Sequence, residues 1–193
     1  MERIQNKGDY YRFLKLDKKA MGIEHECLAF CNPFLIDIEI WNFIKALRRC
    51  EYYYLPQHTG LIWKVKKWWA AIVFKRKSVE LGYTIMPYTF GPGLRIAHRG
   101  AIVVHAACNI GANCTINSGV NIGTKAGFVA EVPEIGDHVY IGPGAKIFGK
   151  IKIADGCAIG ANAVVCKDVI EKNSIVVGIP AQIKGKVTRN LQV

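Results

Sequence analysis

Residues 135–169 read IGDHVYIGPGAKIFGKIKIADGCAIGANAVVCKDV, and in them an aliphatic side chain returns at every sixth position: Ile135, Ile141, Ile147, Ile153, Ile159 and Val165. The same count runs upstream through Ile110, Ile116 and Ile122. Glycine follows the aliphatic at Gly111, Gly123, Gly136, Gly142 and Gly160. A period of six is neither the 3.6 of a helix nor the 2 of a simple strand. It marks a parallel β-helix, in which no short strand buries its apolar face alone and stacked coils make the core together. The fourth position after each aliphatic agrees: Cys108, Cys114, Val120, Val139, Ala145, Ile151, Cys157, Ala163 and Val169 are mostly small or β-branched. Such residues suit the crowded inside of a narrow prism, where bulk would overpack.

Outward from this core the chain changes texture. Its 193 residues, 51% of them hydrophobic, suffice for one domain with a real core, or one and a small appendage. All four tryptophans lie before residue 80 and the six-residue rhythm lies after it. Helical spacing covers 8–20 and 36–51, with Ile36, Ile40, Phe43, Ile44 and Leu47 on one face. A third helix, apolar and basic together, is predicted over 61–81, with Trp68, Trp69, Ile72, Val73 and Phe74 packing beneath the first coil. The expected division is therefore a helical region, 1–81, and a mainly β domain, 82–193. The first coil is irregular, because GPG and His98-Arg99-Gly100 loosen the pattern between Gly91 and Gly100. Thirteen residues instead of twelve separate Ile122 from Ile135, and an insertion in a solenoid loops out of one face, often the binding face. The tail VVGIPAQIKGK (176–186) ends the regular coils.

The net charge of +11 implies attraction to anions and is nearly even, +6 over 1–80 and +5 over 81–193. Residues 64–77 form the one dense cluster: Lys64, Lys66, Lys67, Lys75, Arg76 and Lys77, without an acid. No run reaches the roughly 20 uncharged apolar residues a membrane span needs. The opening MERIQNKGDYY lacks the apolar stretch of a signal peptide, so a cytoplasmic protein is expected. Seven cysteines show no paired spacing; Cys27 and Cys31 could be half a metal site, but nothing nearby completes four ligands. Reduced structural cysteines are expected.

The stretches GPGLRIAHRGAIVVH, NCTINSGVNIGT, PEIGDHVYIGPGAKIFGKIKI, IGANAVV and VGIPAQIKG together resemble the hexapeptide-repeat acyltransferases of the serine acetyltransferase type, nearest to capsule and exopolysaccharide O-acetyltransferases. The likeness covers 82–186. It implies a left-handed parallel β-helix, a homotrimer with active sites between subunits, and acetyl-CoA as acyl donor, with no metal. It implies that His98 is the catalytic general base, taking the proton of an acceptor hydroxyl. Cofactor contacts carried over by the resemblance are Asn117, Gly123, Thr124, Gly142, Pro143, Gly160, Ala161 and Lys167. Each glycine has a second reading as a tight prism corner. His105 and His138 could join His98 in a three-histidine zinc site, but their spacing does not match that arrangement.

This chain departs from the serine enzymes at four positions. Thr84 replaces the Asp that orients the catalytic His. Ala97 replaces the acid before that His. Glu131 and Val132 replace an Arg-His pair in the loop. These changes remove charged groups that would hold a zwitterionic amino acid, so a sugar hydroxyl of a surface polysaccharide is the expected acceptor, with L-serine as the alternative. The shorter N-terminal region argues for a trimer rather than paired trimers. A different class, a non-catalytic polyanion binder acting through 64–77, predicts strongly salt-dependent binding. No nucleic-acid module is recognisable, and weak peripheral membrane contact by the helix at 61–81 completes the expected partners.

Overall fold

The computed structural model describes residues 1–23, 36–127 and 131–188; Cys27 and Cys31 lie outside them. Among the described residues three helices precede the coils: α1 (Lys7–Ala20), α2 (Ile36–Tyr53) and α3 (Leu61–Leu81). α1 starts where the Asn6 side chain accepts the Asp9 N–H at 3.0 Å, satisfying a donor that the helix itself leaves open. α3 stops at Gly82, whose left-handed backbone (φ 75°) lets its N–H reach back to the last-turn carbonyls of Ser78 and Val79.

Fourteen short strands follow among the described residues. They are β1 (Tyr83–Ile85), β2 (Arg95–Ile96), β3 (Ile102–Val104), β4 (Asn109–Ile110), β5 (Thr115–Ile116), β6 (Asn121–Gly123) and β7 (Glu134–Ile135). Then come β8 (Tyr140–Ile141), β9 (Lys146–Phe148), β10 (Lys152–Ile153), β11 (Ala158–Ile159), β12 (Val164–Val165), β13 (Ser174–Gly178) and β14 (Ala181–Lys186). They wind into a parallel β-helix of three faces. Face A stacks β1-β3-β6-β9-β12, and face B stacks β4-β7-β10 with single bridges from Phe90 and Val169 at its ends. Face C stacks β2-β5-β8-β11-β13 and closes with the antiparallel β14. The register is aliphatic on aliphatic: Ile96 sits over Ile116, Ile116 over Ile141, and Ile141 over Ile159. That alignment is what a strict six-residue rhythm requires.

The predicted inward positions are buried, Cys108, Cys114 and Cys157 among them. Burial pushes the thiol of Cys108 up to about 11 and that of Cys114 up to about 12, so both stay protonated, apolar wall material. Cys166 alone among the described cysteines is exposed.

The helices continue the prism's core. Ile40, Trp41, Phe43, Ile44 and Leu47 of α2 belong to the same buried cluster as the coils. Phe43 meets Tyr83 of β1 edge to face at 5.0 Å and Phe74 of α3 at 5.8 Å. One prediction about α3 fails. Phe74 packs against the core, but Trp68 and Trp69 are 61% and 57% exposed instead of lying beneath the first coil. The inward stripe of α3 is Trp63, Ala70, Phe74 and Leu81, a full half-turn away from the Trp pair.

Arg48 of α2 locks helices to coils. Fully buried, it donates to Asp17 of α1 at 2.8 Å, to Glu51 at 3.0 Å, and to the carbonyls of Phe90 (2.9 Å) and Gly91 (2.6 Å). Burial alone would depress its basicity, but the carboxylates of Asp17 and Glu51 outweigh that and hold the guanidinium charged. Burial pushes Glu51 up from its ordinary value, with Arg48 opposing. Arg48→Ala strands two buried carboxylates and is expected to cost about 3–5 kcal/mol in a denaturant titration. The triple change Asp17→Asn, Arg48→Met, Glu51→Gln should cost less than that single change. A neutral Arg48→Ala would show that this cluster does not hold the cap.

Candidate active site

The prism has three edges, and the candidate residues divide among them. Along the C-to-A edge the chain turns after β2, β5, β8 and β11. There Ala97, Asn117, Gly142 and Gly160 stand in one column, each N–H donating to the aliphatic carbonyl of the next coil: Ile116, Ile141, Ile159 and Val176. His98, Pro143 and Ala161 follow these residues on the same edge. Asn117 is buried and its amide also donates to the Ile141 carbonyl at 2.9 Å. Along the A-to-B edge, after β3, β6, β9 and β12, stand His105, Gly123 with Thr124, and Lys167. The predicted cofactor residues therefore lie on two edges separated by face A, and one protomer does not gather them into one pocket.

His98 occupies a corner of unusual size. Eight residues separate Ile96 from its face-A successor Val104, whereas six separate Ile116 from Ile122 in the coil below. The two extra residues swing His98 and Arg99 outward, and both are exposed. Only the backbone is fixed. The Ala97 N–H donates to Ile116 O at 3.0 Å, the Tyr83 hydroxyl donates to the His98 carbonyl at 2.9 Å, and the Gly100 N–H donates to Leu81 O at 3.3 Å. Arg99 is ion-paired to Glu39 of α2. The imidazole itself has no hydrogen-bond partner among the described residues, leaving both nitrogens for a ligand. Tyr83 and the Arg99–Glu39 pair were not singled out by sequence reasoning; the stretched interval from Ile96 to Val104 was the available signal.

The other histidines stand elsewhere. His105 lies on the A-to-B edge, where its Nδ1 accepts the Ala107 N–H at 3.2 Å. His138 lies on the B-to-C edge in a left-handed turn position (φ 58°). Three histidines on three edges do not converge within a protomer, and the described residues hold no cluster of three or more His, Cys, Asp or Glu suited to a metal ion. Thr84 points outward from β1, opposite in sense to its neighbour Tyr83. Val132 packs partly against the core. A cavity of about 710 Å³ lies on face B, lined by Arg3, Asp137 and Asp155 among others, away from the His98 edge.

The glycines separate into two kinds. A Cβ on Gly142 would meet Ile159 O at 2.8 Å and the Ala161 nitrogen at 2.9 Å, and one on Gly160 would meet Val177 Cγ1 at 2.6 Å. Coil stacking alone explains both. A Cβ on Gly123 would find nothing nearer than 3.9 Å, so the fold of the protomer does not demand glycine there.

Comparisons with known proteins agree with this architecture. Residues 133–167 match the family model described as bacterial transferase hexapeptide (six repeats). A serine acetyltransferase of Mycobacterium tuberculosis is 41% identical over 120 residues, which is 61% of this chain and 51% of the relative. Among solved structures, a serine acetyltransferase from Brucella abortus superposes with a TM-score of 0.71 at 28% identity, over 93% of this chain and 70% of that one. The structure of the Brucella abortus serine acetyltransferase in complex with coenzyme A gives 0.69 at 25% identity, over 93% and 69%. The chain is thus similar to bacterial hexapeptide transferases over 133–167 and to serine acetyltransferases over a larger stretch. More particularly, the chain is serine acetyltransferase-like in sequence and fold. It spans about half the length of the curated relative it matches (51%).

Gly142→Ala is expected to lower stability by about 1–3 kcal/mol through forced coil separation. Gly123→Ala should melt with the parent, because an added methyl meets nothing nearer than 3.9 Å. Equal melting of both variants would remove the distinction between packing and binding glycines.

Proposed function

We propose that this chain is an acetyl-CoA-dependent O-acetyltransferase with His98 as general base. The observation that carries the reading is an exposed, unpartnered imidazole at an enlarged corner of a serine acetyltransferase-like β-helix. His98 takes the proton from an acceptor hydroxyl while that oxygen attacks the thioester carbonyl carbon. The tetrahedral intermediate then collapses, the C–S bond breaks, and the imidazolium returns the proton to the CoA thiolate. The products are an acetyl ester and free CoA. Tyr83 acts as a positioning residue, fixing the His98 backbone from within the core.

The β-helix of 82–193 is taken as the catalytic unit and 1–81 as its helical cap. Its coil is left-handed, as the likeness to the hexapeptide-repeat relatives supports. The assembly is a homotrimer in which the C-to-A edge of one protomer lies beside the A-to-B edge of the next. That would bring His98, Asn117, Gly142, Pro143, Gly160 and Ala161 together with Gly123, Thr124 and Lys167 of the neighbouring copy. Backbone approach at Gly123 suits a pantetheine arm, and Lys167 suits phosphates. The complex of a Brucella relative with coenzyme A supports the donor.

For the acceptor, the relatives named as serine acetyltransferases support L-serine over the sugar hydroxyl that the sequence pattern suggests. They lend nothing to a role in polysaccharide synthesis or to a non-catalytic polyanion binder. The sugar reading keeps one specific support: at positions 97 and 132 stand Ala and a core-packed Val, so neither supplies a charge to grip an amino acid.

Thiol release from acetyl-CoA, measured with L-serine and a panel of sugars and sugar nucleotides, tests both points. His98→Ala should lower kcat about 10²–10⁴-fold with an unchanged melting curve. A variant as fast as the parent would end the assignment of the base. Serine should be the fastest acceptor, and a sugar that outruns it would reverse that choice.

A further inference from the structure

α3 has two apolar faces. Inward lie Trp63, Ala70, Phe74 and Leu81. On the opposite side, Leu61, Ile62, Val65, Trp68, Trp69 and Val79 share one stripe and are each 51–78% exposed. Arg76 interrupts the stripe near its end. Lys64 and Lys75 border it on one flank, Lys66 and Lys77 on the other. A contiguous array of large exposed apolar side chains with adjacent tryptophans is uncommon on a surface that meets only water. Ordinary solvent-facing helix surfaces are polar, so this stripe calls for an occupant.

We infer that the outward face of α3 docks this protein in-plane onto an anionic phospholipid surface. Charge complementarity selects this occupant. The only acid on α3 is Glu80, which is held by Lys77 at 2.8 Å. Lys64 and Lys75 have no carboxylate partner among the described residues, and Arg76 shares Glu80 with Lys77. A second copy seated on the same face would bring an identical set of cations against these, and like charges oppose such a contact. A bilayer of anionic lipid offers the two chemistries in the right order, with an acyl boundary for the apolar stripe and phosphates for the lysines beside it. Two tryptophans suit the headgroup level between them. The helix lies on the membrane and does not enter it, since no helix among the described residues is long and apolar enough to cross.

The test uses the full-length protein with phosphatidylglycerol–phosphatidylcholine vesicles and, in parallel, pure phosphatidylcholine vesicles. The parent should co-sediment with the anionic vesicles at low salt and be released by added salt, with tryptophan emission shifting to the blue on binding. The double variant W68S/W69S should melt like the parent, keep its thiol-release activity, bind roughly tenfold or more weakly, and lose the shift. Lys64→Glu with Lys75→Glu should weaken binding without abolishing activity. Failure of the parent to co-sediment at low salt would overturn the inference, as would unimpaired binding by W68S/W69S. A drop in solution mass for W68S/W69S, with no vesicle binding by the parent, would reassign the face to contact between copies. Because activity on soluble acceptors is read separately, loss of membrane binding is distinguishable from failure of the catalytic assignment.

Discussion

The architecture depends on a problem that every β-helix has at its first coil: carbonyls that point along the axis find no coil above them. Here the Gly91 N–H spends itself downward on Ile110 O at 2.8 Å, while the Gly91 carbonyl faces the helices. Buried polar groups left unpaired cost heavily, and an open strand edge invites aggregation. Arg48 answers with two donations, to Phe90 O and Gly91 O, and Asp17 accepts the Leu94 N–H at 2.8 Å. Glu51 accepts the Tyr88 N–H at 2.8 Å. One buried cation and two carboxylates thus stand in for a missing coil, and they do so only because α1 and α2 deliver them together.

That cap also reaches the candidate base. Leu94, tied to Asp17, leads directly into β2, and two residues after β2 stands His98. From the other side Phe43 of α2 packs on Tyr83, whose hydroxyl holds the His98 carbonyl. Burial pushes the Tyr83 phenol well above its ordinary value, so it remains a hydrogen-bond donor throughout the neutral range. The backbone at His98 is held for these reasons, while the ring has no hydrogen-bond partner among the described residues. A base held this way can accept the proton of a bound acceptor without first breaking an internal hydrogen bond.

The fold was legible because six-residue spacing has one physical solution, and the pairing of Ile96, Ile116, Ile141 and Ile159 is that spacing made visible. Helices α1 and α2 were legible from 3.6-residue spacing, while α3 was legible as one apolar and basic run over 61–81, which the structure ends at the Gly82 cap. Two features were hidden for different reasons. The outward stripe of α3 was misassigned because a helix apolar on both sides gives no periodic contrast, so nothing in its pattern says which face is inside. The packing role of Gly142 and Gly160, against its absence at Gly123, was hidden because all three occupy equivalent repeat positions. They differ only in what the neighbouring coil puts opposite them: Ile159 O, a Val177 methyl, or nothing nearer than 3.9 Å.

The division of candidate residues between two edges follows from the shape of a prism. A triangular solenoid presents flat faces, built here from strands of two or three residues apart from the longer β13 and β14. A ligand touching Asn117 and Gly123 of one protomer would have to lie across face A with solvent above it. A thioester needs walls on both sides to exclude water and orient the attacking oxygen. The edges can supply two walls only when a second prism stands alongside, and the turn at His98 is exposed on one such edge. Association is therefore a chemical requirement of the proposed reaction, set by geometry that a single chain of this fold cannot escape.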